Sequence, residues 1–146
     1  MELASLKSRF TQEIESYKVK LKKSEFIFQK EYEATSELIF FISNLLPTYR
    51  HPDMDWQDAC DDMACKFDSI ETDLKSYLSR HGAVLNEEVR LLVYSCVGTA
   101  GENKFEIGKN RSVSTTANQA ADDLYEKLKK AEKILLKQIH SQSSLV

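Results

Sequence analysis

The sequence predicts an all-α protein, a helical bundle in which a long N-terminal helix packs with three shorter ones as antiparallel neighbours. Three observations carry that prediction. Only four Gly and two Pro punctuate 146 residues, whereas a sheet-rich chain of this length needs many turn residues. Apolar residues recur at helical spacing over most of the chain. The apolar share is 42% and the charged share 29%, enough apolar surface for one soluble domain with its own core.

The first predicted helix spans 2–46. It contains neither Gly nor Pro, and Pro47 ends it. Its apolar residues Leu3, Leu6, Phe10, Ile14, Tyr17, Leu21, Phe28, Tyr32 and Ile39 follow 3-4-4 steps, with Glu25, Ser36 and Ser43 as the misses. An eleven-residue repeat stays close to the period of a straight helix. Beyond Phe28 the pattern thickens with Phe40, Phe41, Ile42, Leu45 and Leu46. Apolar residues on several faces predict that this C-terminal third lies at the centre of the fold.

The second predicted helix spans 55–80. Its apolar face is Trp56, Cys60, Met63, Phe67, Ile70, Leu74, Tyr77 and Leu78, and Gly82 is expected as a left-handed cap. The third starts from an Asn86 cap with Glu87 and Glu88 in its first turn, buries Val89, Leu92, Val93, Cys96 and Val97, and ends around 98–101. Residues 98–116 read as a flexible loop holding three of the four glycines, with a short extended piece at Phe105 and Ile107. The fourth opens near Thr116 with Gln119 completing a capping box, and presents Ala120, Leu124, Leu128, Ala131, Leu135 and Ile139.

Length then points toward function. A helix of this size outreaches its companions, so its N-terminal half overhangs as an arm. The arm carries Leu3, Leu6, Phe10, Ile14, Tyr17 and Leu21, an apolar stripe that needs a partner. A second copy of the chain is the economical one. The leading expectation is therefore a non-enzymatic interaction or scaffold protein, acting as a homodimer or on a partner protein. The opposing possibility is a break at Lys23-Ser24 that folds the arm back.

Catalytic chemistry has one candidate region. His51, Asp53, Asp55 and Asp58 could ligate a metal in a nucleotide or phosphate hydrolase. The plainer reading is an acidic helix start. On a helical wheel Asp58, Asp61, Asp62, Cys65 and Asp68 fall opposite the apolar face, and acids favour helix initiation. Asp58-xx-Asp61 and Asp68-xx-Glu71 have the spacing of helical pyrophosphohydrolases, but the first pair points outward. Gly101 to Asn110 misses the phosphate-loop pattern in both spacer and hydroxyl. No catalytic residue and no cofactor is assigned.

Charge excludes further classes. The net charge of -3 gives no overall pull toward nucleic acid or anionic membrane. The first-helix lysines Lys18, Lys20, Lys22 and Lys23 are the remaining nucleic-acid candidates. They are flanked by Glu13, Glu15, Glu25, Glu31 and Glu33 and read as a solvated face. The longest apolar run, Leu38 to Ile42, is too short to cross a membrane. Three cysteines without a CxxC are expected as free thiols in a reducing cytoplasm.

Overall fold

The computed structural model describes residues 2–47, 53–108 and 112–143. It is all-helical, with five helices packed against one another: α1 (Glu2–Ser43), α2 (Trp56–Ala64), α3 (Phe67–His81), α4 (Glu87–Asn103) and α5 (Thr115–Ser143). A 3-10 turn, Lys104–Glu106, follows α4, and one antiparallel bridge joins Ile107 to Val113.

α5 is the hub and touches α1, α2 and α4, while α3 lies between α4 and α1. Its buried line is Ala117, Ala121, Leu124, Leu128, Ala131 and Leu135. These 4-3 steps keep one narrow seam facing inward. Ala121 takes the place expected for Ala120, which is half-buried. The opening cap is Ser114, whose Oγ accepts from the Ala117 N–H at 3.1 Å, two residues earlier than a Thr116–Gln119 box. Asn86 caps α4 as expected, its Oδ1 accepting from the Val89 N–H at 2.8 Å.

The second predicted helix is two helices. The Lys66 N–H donates to the Met63 carbonyl, a tight 3-10 closure, and the Ile70 N–H then restarts the ladder on the Lys66 carbonyl. Nothing in the sequence marks this break, because the apolar spacing runs through it. It lets α2 follow α5 while α3 follows α4 and α1. Cys60, Met63, Phe67, Ile70 and Leu74 still share one core.

Gly82 is right-handed, φ -54° and ψ -33°, and not a left-handed cap. Its glycine requirement is proximity: a Cβ there would stand 2.5 Å from the Leu78 carbonyl oxygen. α4 runs through Gly98 and Gly101 to Asn103, so most of the expected loop is ordered structure. Gly101 faces Glu71, where a Cβ would collide with the carboxylate. Lys104 holds that carboxylate at 3.0 Å and pulls it below the usual carboxylate range. The absent side chain at Gly101 thus makes room for the Glu71–Lys104 pair, while Gly98 faces open space.

α1 is unbroken. Its 42 residues span about 63 Å at 1.5 Å per residue, and no fold-back occurs at Lys23-Ser24. Only its C-terminal part enters the bundle, burying Ala34, Thr35, Leu38 and Ile42, with Leu45 just beyond. The Tyr77 hydroxyl donates to the Ala34 carbonyl at 2.7 Å. Arg80 and His81 both bind the Glu37 carboxylate. These contacts bolt α1 to α3. This third of α1, expected at the centre with apolar contacts on several faces, enters the core on one side only. Phe40 is 70% exposed and Leu46 38% exposed, because α3 and α5 cover one side of the helix only.

Candidate interaction surface

The stripe on α1 is the largest feature that the fold leaves unsatisfied. Every residue from Leu3 to Ile27 is exposed. Leu3 is 73%, Phe10 63% and Tyr17 67% exposed, with Leu6, Ile14 and Leu21 close to half. A soluble chain scatters single apolar residues over its surface, but a contiguous line is a docking feature.

The line has a definite direction. With 100° per residue and Leu38 at zero, the buried residues Ala34, Thr35, Leu38 and Ile42 centre near about 15°. The stripe from Leu3 through Phe28, Tyr32 and Ile39 centres near about 90°. It is therefore rotated by about 75° from the face that the bundle covers. It continues past the arm: Tyr32 is 56% exposed, and Phe28 and Ile39 are half-buried. The 3-4-4 spacing thus marks a side of α1 that the monomer does not use, while core burial follows a different line, 34-38-42.

Sequence reasoning missed a second, shorter apolar set. Val19, Phe26 and Ile27 are about half to two-thirds exposed and lie off the stripe. A groove of about 360 Å³ also runs between the end of α1 and α3, lined by Phe40, Phe41, Ile70, Tyr77, Glu37 and Arg80. The doublet Phe40-Phe41 was its signal, since two adjacent aromatics cannot both face one core.

The acidic segment is accounted for locally. Asp55 Oδ1 accepts from the Asp58 N–H at 2.9 Å, and Asp58 Oδ2 accepts from the Asp55 N–H at 3.1 Å. This reciprocal capping box occupies both carboxylates. Asp53 is exposed, and His51 lies outside the described residues. Among the described residues no group of His, Cys, Asp and Glu is arranged to hold a metal ion. Asp61 accepts from Asn118 at 2.7 Å and Asp62 pairs with Lys66 at 3.1 Å. Trp56, expected to point inward, is 43% exposed. Its indole N–H donates to Asp122 at 2.8 Å, and its ring meets the Tyr125 edge.

The thiols and lysines are similarly engaged. Burial, with Asp122 and Asp61 nearby, pushes the Cys60 thiol up to about 11. Burial pushes Cys96 up to about 12. Neither is poised as a nucleophile. On α5, Lys127 pairs with Asp123 and Lys129 with Glu132, both at 2.9 Å. Lys18 lies 3.9 Å from Glu15 on the exposed arm. No helix among the described residues is long and apolar enough to cross a membrane. No family model, no curated protein and no solved structure matches the chain.

Proposed function

We propose that this chain is a non-enzymatic helical interaction protein whose working surface is the α1 stripe, acting by self-association or by holding a partner protein. The observation that supports it is the exposure of Leu3, Leu6, Phe10, Ile14, Tyr17 and Leu21 on one straight line of a continuous helix. Removing that line from water is favourable at about 25 cal/mol per Å² of apolar area. A bare helix exposed on all sides gains nothing comparable by itself.

The test is the mass in solution. Wild type should scatter above the 16.8 kDa of one chain. Leu6→Glu with Ile14→Glu should return it to one chain, lowering the association constant by about a hundredfold or more, since unpaired charge is costly to bury. The far-UV helix signal of the bundle should persist. A wild type that scatters as a single chain at every concentration contradicts self-association through the stripe.

A further inference from the structure

Resting on that reading, we infer that the occupant of the stripe is a second copy of this chain, aligned parallel and in register. Three observations lead there.

The first is charge. Glu13 and Lys20 lie on one edge of the stripe, and Lys18 and Glu25 on the other, between about 50° and 90° from its centre. Between parallel helices, a residue on one edge meets the residue five positions later on the opposite edge of its neighbour. That rule sets Glu13 of each copy against Lys18 of the other, and Lys20 against Glu25. Glu2 and Lys7, eleven residues before Glu13 and Lys18, repeat the pairing in sequence. These edge pairs bring no like charges together, but Glu25 also fills a seam position of the repeat, as near its centre as Leu6, and there lies close to its own copy. Residues five apart on one helix point about 140° apart, so within one chain this spacing serves no ion pair. An antiparallel pair centred on Ile14 and Tyr17 matches Lys7 with Glu25 and Glu13 with Lys20, but sets Glu2 against Glu31.

The second is continuity. The stripe does not stop where the arm meets the bundle. Phe28, exposed Tyr32 and Ile39 carry it along the same side. A parallel partner covers that extension.

The third is room. A twofold axis along the stripe places each bundle about 75° from the contact line. The two bundles then fall on opposite sides of the paired helices and do not collide.

Register is read by cross-linking in the full chain. Leu6→Cys and Leu21→Cys, each made separately, should form disulfide-linked dimers under mild oxidation, since a disulfide needs Cα atoms within about 4.4–6.8 Å. Wild type, which carries Cys60, Cys65 and Cys96, sets the background. Glu13→Lys should weaken the dimer by about three- to tenfold, and adding Lys18→Glu should restore it. Cross-links that form only between Leu6→Cys and Glu25→Cys chains overturn the parallel register, as does failure of Lys18→Glu to rescue. Both leave the association reading intact. A scattering mass above one chain without a Leu6→Cys or Leu21→Cys dimer overturns the register alone. A single-chain mass overturns both.

Discussion

One helix passes through two environments. From Ala34 to Ile42, α1 follows the bundle: it buries every third or fourth residue against α3 and α5, lends a carbonyl to Tyr77 and a carboxylate to Arg80 and His81. From Leu3 to Ile27 every residue is exposed, yet its apolar spacing is the more regular of the two. The difference shows that apolar periodicity need not coincide with the contact that the folded chain makes. Inside the bundle, burial is set by which side α3 and α5 reach. On the arm nothing competes with the sequence's own repeat, so the repeat remains visible and unused.

The sharpest way to break this comparison is to truncate the same residue type in both environments. Phe67 is 1% exposed in the core. Phe67→Ala should cost about 3–5 kcal/mol in denaturant unfolding. Phe10→Ala, on the arm, should stay within about 0.5 kcal/mol when measured at low protein concentration. A comparable loss for Phe10 would mean that the arm already packs within one chain. A smaller effect comes from the caps of the bundle. Asn86→Ala should lower stability by about 1 kcal/mol, with no change in association.

The smallest expected effect is electrostatic. Lys104 holds Glu71 ionised below the usual carboxylate range. Its contribution is therefore present above the unfolded carboxylate value of about 4.3 and is lost as pH falls through the lower folded value. The stability difference between wild type and Glu71→Gln should be largest near neutrality and vanish in acid. A difference independent of pH would mean that Glu71 matters only as packing beside Gly101.

Much of the fold was legible. The scarcity of Gly and Pro gave helices, and the faces of α3 and α5 followed from spacing with one-residue slips. What was not legible depended on distant partners. The break at Cys65-Lys66 carries no Gly or Pro, because it answers to α2 and α3 following different neighbours. α4 runs on through Gly98 and Gly101, and at Gly101 the missing side chain leaves room for the Glu71 carboxylate that Lys104 holds, a long-range contact that no local spacing reveals. The outward turn of Phe40 was hidden because apolar density cannot say how many sides of a helix will be covered. The exposed line from Leu3 to Leu21 was legible, since exposure leaves the repeat intact, whereas Val19, Phe26 and Ile27 follow no repeat and were missed. The capping roles of Asp55 and Asp58 were legible from position alone.

The most direct measurement is hydrogen exchange along α1 as protein concentration rises. An unpaired helix owes little to packing and should open easily. Arm amides between Leu6 and Glu25 should gain protection in step with concentration, while α5 amides around Leu124 and Leu128 keep theirs throughout. Arm protection that is identical at the lowest and highest concentrations would contradict it.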